Sequence, residues 1–274
     1  MQSIKRFIKR YGSHLLYYKQ IKRQAYTTLL DQISKVDGLP LSTASSDVFT
    51  YHGEDGIIQF ILKHLQHLPH VFVDIGSGDC IKSNCAVPAV HQNWKGIFID
   101  ANKTQLGIGK AFYKRLGKKN LNFENAYVTP DNINQLITAY GFAGTVGLLS
   151  IDIDGNDYWI WKAIEVIQPL IVVVEAKVEF GMKDLIVPYS KNNHHSSHHM
   201  YNGASVEAFR KLGQQKGYTL IGANLQGYNL FFIPAYLVQP PFYPAQTEDV
   251  LQWEETQKSF YPESFFHSHL FDTV

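Results

Sequence analysis

The sequence predicts an α/β fold with a mostly parallel, seven-stranded sheet that ends in an antiparallel hairpin. Three observations predict it. Short β-rich runs alternate with helical stretches after about residue 47, as they do in βαβ units. Several of these runs are almost continuously apolar, as strands covered on both faces should be. The last two runs are joined by a short, Gly-containing link, which favours a hairpin.

Seven segments are candidate strands. A polar, His-rich stretch and a helix near residues 204–216 follow the fifth strand, and the last two strands come directly after that helix. A dinucleotide-binding fold would continue with crossover helices, so the closing hairpin argues against one. In chain order, the candidate strands are residues 71–75, 96–100, 123–128, 147–152, 170–175, 218–223 and 229–234.

The chain divides into three segments. Its 274 residues, with 45% hydrophobic content, are enough to bury one sizeable core. We expect a basic helix and linker in residues 1–46, a catalytic domain in residues 47–236, and an aromatic and Pro-rich tail in residues 237–274. The formal net charge of +1 gives no overall electrostatic footprint for nucleic acid, so we expect no nucleic-acid partner.

The N-terminal segment is locally basic. Residues 1–36 carry eight Lys and Arg side chains but one acid, Asp31, and apolar residues such as Ile4, Phe7 and Ile8 recur at roughly helical spacing. Two interpretations stay open: a solvated helix that packs one face on the domain, and a basic amphipathic helix that contacts an anionic membrane or a protein partner.

Cysteine content and hydropathy indicate the compartment. Cys80 and Cys85 are too few for a disulfide framework and lack the paired spacing of a structural zinc site. No apolar run approaches the roughly 20 residues that span a bilayer, and no secretory signal pattern opens the chain. We therefore expect a cytoplasmic protein with reduced thiols, peripheral at the membrane if the basic helix binds there.

A glycine turn follows the first strand and is the candidate cofactor site. Asp74, Gly76, Ser77 and Gly78 lie at the carboxyl edge, where open α/β sheets bind ligands. Glycine permits a sharp turn and close approach of the backbone to a ligand, while Asp74 can organise the turn or receive an amino group. The third glycine of a dinucleotide motif is replaced by Ile81, and no P-loop sequence occurs.

Two further strand ends extend this candidate site. Asp100 ends the second strand, where a carboxylate can accept both ribose hydroxyls of an adenosine ligand. Asn125 and Ala126, near the end of the third strand, occupy the place of an adenine-contacting element. The turn and Asp100 together favour an adenosine-containing ligand without phosphates.

An acidic group follows the fourth strand. Asp152, Asp154 and Asn156 lie in a stretch that also contains a glycine, and Glu175 ends the fifth strand. Carboxylates this close predict either a raised pKa, useful for taking a proton from an acceptor hydroxyl, or a divalent cation such as Mg²⁺ or Mn²⁺ held by Asp152, Asp154 and Glu175. The residue pattern leaves both open.

A histidine tract lies between residues 192 and 199. Three interpretations stay open: a solvated loop, a metal site, and a mobile lid from which His194 acts as a general base.

The sequence resembles the FkbM-type methyltransferase superfamily, particularly its bacterial members with a strand-ending DxDGND element. The likeness covers roughly residues 50–236. This chain departs from the family pattern at residues 175–177, where an asparagine commonly follows the acid in the relatives, and in its long histidine tract. The matching segments are residues 53–56, 74–78, 125–129, 152–157, 201–205, 216–218 and 229–232.

The resemblance implies a class I, Rossmann-like methyltransferase fold, use of S-adenosylmethionine, and O-methylation of a hydroxyl on a sugar or other small metabolite. Two alternatives are kept. One is a non-catalytic module of the same fold that binds a partner in a cell-surface or polysaccharide assembly. The other is an NAD-dependent oxidoreductase.

Overall fold

The structure is a computed structural model that describes residues 2–36, 39–65, 67–191 and 200–274, without the side chains of residues 2–17, 254 and 255. The candidate His194 and its tract lie outside the described residues. The histidine interpretations therefore stay predictions.

A single seven-stranded sheet forms the centre of the molecule. Its strand order is β3-β2-β1-β4-β5-β7-β6, and only β7 runs antiparallel to its neighbours. This order confirms the predicted fold class, the class I methyltransferase arrangement with a C-terminal hairpin. The strands are β1 (Val71–Ile75), β2 (Lys95–Asp100), β3 (Leu121–Asn125), β4 (Gly144–Ile151), β5 (Ile167–Glu175), β6 (Tyr218–Ala223) and β7 (Asn229–Pro234).

The predicted third strand was placed too far along the chain, because it extended to residue 128 whereas β3 ends at Asn125. The Asn125 side-chain amide donates to the carbonyls of Asp100 and Ala101, 2.9 Å away in each case. These bonds tie the end of β3 to the last residue of β2 and to the residue after it. The apolar residues that suggested a longer strand belong to the following loop.

Helices cover both faces of the sheet. One face packs on α1 (Gln2–Ile33), α2 (Glu54–His64), α3 (Ala86–His91) and α4 (Lys103–Arg115). The other packs on α5 (Ile133–Ala139), α6 (Asp157–Ala163) and α7 (Val206–Gln215). Three short helices follow the sheet: α8 (Thr247–Leu251), α9 (Glu254–Lys258) and α10 (Glu263–His267).

The second half of α1 packs against the domain. Leu29 and Ile33 are fully or almost fully buried, and the Tyr26 ring stacks on the His91 ring with centroids 4.5 Å apart. Within the described part of the chain, no helix combines the length and the apolarity needed to cross a membrane. A solvated helix that packs one face on the domain fits residues 18–33.

The aromatic tail also packs on the domain. Phe180, Phe265 and Phe271 belong to one aromatic cluster, and residues 186 and 272 pair as an isolated β-bridge. The tail therefore packs against the loop that follows β5 and stabilises it.

Glu54 ties α2 to the hairpin. Its buried carboxylate accepts hydrogen bonds from the side-chain amides of Asn224 and Asn229, at 2.8 and 2.9 Å. The neighbouring Asp55 carboxylate accepts three backbone N–H bonds from the loop before the helix. The segment 53–56, which contributed to the family resemblance, thus has a clear role in holding the fold.

Candidate functional site

A cleft opens at the carboxyl ends of the central parallel strands. Its volume of about 440 Å³ falls in the range of small-molecule sites. Acidic side chains and glycine backbone converge in it. It is lined by Gly76, Gly78, Ile99, Asp100, Ala101, Asn102, Ala126, Tyr127, Val128, Asp152, Ile153, Asp154 and Glu175.

The two glycines of the turn meet different surroundings. Gly76 has φ +82°, and a Cβ there would lie 1.6 Å from the Asp152 carbonyl oxygen. Gly78 has φ +50°, and a Cβ there would meet no atom within 4 Å. Gly76 is therefore required for close packing of β1 against the end of β4. The open space beside Gly78 lets a ligand approach the backbone.

Asp100 joins the glycine turn to the loop after β2. One carboxylate oxygen accepts from the Gly78 N–H at 2.7 Å, and the other accepts from the Asn102 N–H at 2.6 Å. The side chain is half-buried and lines the cleft. A carboxylate offers about four lone-pair sites, so Asp100 can still accept ligand hydroxyls after making these two bonds.

Three of the candidate cofactor residues, Asp74, Ser77 and Asn125, are not among the residues that line the cleft. Asp74 is buried and accepts from the Ser83 hydroxyl, while the Ser77 hydroxyl bonds to the Ile99 carbonyl at 3.4 Å. Burial, reinforced by the charge of Asp100, raises the pKa of Asp74 to about 7. Asn125 similarly holds the loop after β2. The Asp74 carboxylate thus ties β1 to the loop that carries Ser83.

The acidic edge faces the cleft. Asp152, Asp154 and Glu175 each offer a carboxylate oxygen within 4.8 Å of the others. The Asp152 side chain is exposed in the cleft, yet desolvation by its protein neighbours, followed by the charges of Asp157 and Asp154, raises its pKa. Desolvation followed by the Asp152 charge also raises the pKa of Glu175. Such a group can share a proton or bind a cation.

The loop between β4 and α6 has an unusual backbone. Asp154 has φ +56° and Gly155 has φ +140°. The Asp157 carboxylate stabilises this shape by accepting from the N–H groups of Ile153 and Gly155, at 2.8 and 2.9 Å. This turn carries the Asp154 side chain into the cleft.

Asn156 does not line the cleft. It is 2% exposed, and its side-chain amide donates to the Ser190 carbonyl at 3.0 Å. Its place is therefore between the acidic loop and the segment that leads into the histidine tract.

A smaller hollow of about 90 Å³ adjoins the cleft and shares Asp154 and Glu175 with it. The sequence indicated Asp154 and Glu175 as site residues, and Asn202 belonged to a segment that resembled the family. Glu179 and Tyr228 were missed, because the short 3₁₀-helix and the loop that carry them have no periodic signal. Lys177 is the single cation among the residues that line this hollow. The lining is completed by Asp157, Gly155, Ala176 and Gly203.

A separate cavity of about 220 Å³ lies between the linker, β6 and the tail. Leu39, Phe60, Tyr243 and Trp253 contribute to its mainly apolar wall. Its acid, Asp249, already caps α8. The cleft, where several charged groups converge, is the better candidate for chemistry.

Comparison with known proteins adds little at this site. No family model and no curated protein matches the sequence. Magnesium protoporphyrin IX methyltransferase from Synechocystis PCC 6803, solved with bound SAH, aligns at 10% identity over 66% of this chain and 81% of its own, with a TM-score of 0.42.

Two other solved structures align similarly. An S-adenosylmethionine-dependent methyltransferase from Clostridium acetobutylicum ATCC 824 shares 10% identity over 66% of this chain and 90% of its own, with a TM-score of 0.42. The CurJ carbon methyltransferase shares 12% identity over 85% and 70%, with a TM-score of 0.45. Because these TM-scores are low, the fold assignment rests on the strand order of the sheet.

Proposed function

We propose that this protein is an S-adenosylmethionine-dependent methyltransferase that methylates a hydroxyl group of a small metabolite or saccharide. One observation carries the proposal. The open backbone at Gly78, the Asp100 carboxylate and the acidic edge at Asp152 all line one cleft at the carboxyl end of a class I sheet. The proposed donor site and the proposed proton acceptor would thus be adjacent.

The residues of the cleft fit the methyl donor. Asp100 would hold the ribose hydroxyls, and Ala101 and Ala126 would flank the adenine. An NAD site fits less well, because a pyrophosphate needs a helix N-terminus directly after the glycine turn. Here β1 ends at Ile75 and the next helix begins only at Ala86.

The acidic edge suits the acceptor side of the reaction. The bound donor supplies an electrophilic methyl group. The cleft aligns the acceptor oxygen with it, and Asp152 takes the acceptor proton. Desolvation and neighbouring acids make Asp152 a stronger base than an ordinary aspartate, while Glu175 shares or relays the proton within 4.8 Å.

We also infer that the chain belongs to the FkbM-type superfamily, in its branch with the DxDGND element. The support is the sequence resemblance, above all residues 152–157. The structure gives those residues a compact turn in which Asp157 fixes the backbone that presents Asp154.

Calorimetry tests the donor site directly. We expect both S-adenosylmethionine and S-adenosylhomocysteine to bind, and the substitution Asp100→Asn to weaken each by about ten-fold or more, because a charged acceptor is lost. Asp131→Asn is the matched control, since Asp131 is exposed and lies outside the cleft lining. It should leave both affinities unchanged.

The same titrations separate the alternatives. Failure of the parent protein to bind either compound would exclude the methyltransferase and a donor-binding module alike. Binding of NAD in their place would establish the oxidoreductase alternative.

The cation hypothesis has its own test. If Asp152, Asp154 and Glu175 hold Mg²⁺ or Mn²⁺, adding Mn²⁺ should raise the Tm, EDTA should reverse the rise, and Asp154→Asn should abolish it. The reason is that a ligand bound to the folded state alone stabilises it. No response of the Tm would assign the three carboxylates to proton transfer alone.

A further inference from the structure

The near-neutral net charge conceals a strong separation of charges along the chain. Residues 1–30 contain seven Lys and Arg and no acid, and residues 101–123 contain six and no acid. The remaining residues hold 12 cations and all 24 acids. Two separate segments therefore carry an excess of 13 positive charges, while the rest of the molecule is strongly negative.

The fold brings these two segments together. The Tyr18 ring of α1 meets the Phe112 ring of α4 edge-on, with centroids 5.8 Å apart. Burial, followed by the nearby charge of Lys19, lowers the pKa of Lys118, which shows that α1 and the turn after α4 present cations to each other.

The pKa of His91 is also affected by the cations of both segments. Burial, followed by the charges of Lys118, Arg23 and Lys22 in that order, lowers its pKa to about 4. We call the side chains of Lys19, Arg23, Lys114, Arg115, Lys118 and Lys119 the basic face.

The basic face carries uncompensated charge. Among the described residues, no ion pair involves any of its six side chains. All but the half-buried Lys118 are exposed. Six cations brought close together without ion-pair partners repel one another, so an anionic partner would stabilise them.

Apolar side chains interspersed with the cations indicate the kind of partner. Leu30 on α1 and Ile108 on α4 are 42% and 47% exposed. The first half of α1 has four further cations in its sequence, at positions 5, 6, 9 and 10, and apolar residues that recur at roughly helical spacing. Basic helices with an apolar series bind anionic bilayers, whereas contacts with nucleic-acid phosphates need no apolar component.

We propose that the basic face, continued by the first half of α1, docks the protein on the anionic phospholipid surface of a bilayer. The acidic remainder of the molecule is repelled by the same surface, which fixes the orientation. Lys114 and Lys119 lie near the end of α4 that is remote from the cleft, and 13 helical residues span about 20 Å. Docking therefore leaves the cleft accessible.

Vesicle sedimentation with the full chain tests the proposal. We expect the parent protein to sediment with phosphatidylcholine vesicles that contain phosphatidylserine, but not with pure phosphatidylcholine, and to be released by salt. Lys114→Glu with Lys119→Glu should weaken binding by about ten-fold or more, since each cation near an anionic surface contributes measurably. The control pair Lys162→Glu with Lys191→Glu makes the same charge change on exposed residues outside the basic face.

Three results would overturn the proposal: no sedimentation of the parent with either vesicle, equal loss for the two variant pairs, or tighter binding to a short nucleic-acid duplex than to phosphatidylserine vesicles. Thermal unfolding checks that both variants are folded. The result is independent of the proposed enzymatic function, because calorimetry with S-adenosylhomocysteine measures the donor site separately.

Discussion

Gly76 and Gly78 stand two residues apart in one turn, yet they serve different purposes. The motif identifies both as turn glycines, and only their neighbours distinguish them. Gly76 lies against the backbone of Asp152, whereas Gly78 borders open space in the cleft. The same residue type thus supports packing at one position and ligand access at the next.

Alanine substitutions should separate these roles. Gly76→Ala should lower the free energy of unfolding by about 3 kcal/mol or more, since its Cβ would collide with a backbone carbonyl. Gly78→Ala should cost about 1–2 kcal/mol for the left-handed backbone and should also weaken binding of S-adenosylhomocysteine. Denaturant unfolding and calorimetry measure the two effects.

Gly117→Ala is the matched control, because Gly117 has φ +73° with open space around its Cβ and lies outside the cleft lining. Gly117→Ala should lower the free energy of unfolding as expected for a left-handed backbone, without changing the affinity for S-adenosylhomocysteine. The packing role of Gly76 would be wrong if the Gly76→Ala protein proved as stable as the Gly117→Ala protein.

At the scale of elements, the loops after the strands decide which side chains reach the cleft. At the end of β3, the Asn125 side chain binds the carbonyls of Asp100 and Ala101 and does not line the cleft. Asp157 shapes the loop after β4 so that Asp154 turns outward and Asn156 turns inward. Hydrogen bonds within and between loops therefore determine which side chains line the cleft. The alternation of side chains along the strands is not sufficient to determine it.

At the scale of the whole molecule, buried acids link stability to pH. Burial raises the pKa of Asp55 to about 6 and that of Asp74 to about 7. Between pH 4 and these values, the folded state retains protons that the unfolded state has released. Their stabilising contribution is therefore complete below about pH 4 and is lost as the pH rises toward neutrality.

Asp74→Asn should flatten this dependence. The amide oxygen can still accept from the Ser83 hydroxyl, but the titration at position 74 is removed. We expect the free energy of unfolding to fall less between pH 4 and 7 than in the parent, where one proton contributes at most about 1.4 kcal/mol per pH unit. Asp131→Asn, on the exposed surface, should keep the parental slope. If the free energy of unfolding depended on pH equally in the parent and in Asp74→Asn, the raised pKa of Asp74 would be contradicted.

The sheet, its closing hairpin, and the proposed positions of the donor turn and the acidic edge could all be predicted from the amino-acid sequence. These features could be predicted because they depend on local signals: apolar runs, turn residues, and polar groups where strands end. The boundaries of β3 were the main error, since the apolar residues after Asn125 continue the strand pattern although the chain has already left the sheet.

Only the tertiary structure decided which of those residues face the cleft. It placed Asp100, Asp152 and Gly78 in the lining and Asp74 outside it. It also tied Glu54 to Asn229, 175 positions away, and joined the cations of α1 to those of α4. Such contacts depend on how distant segments pack, and the local pattern of residues carries no record of that packing.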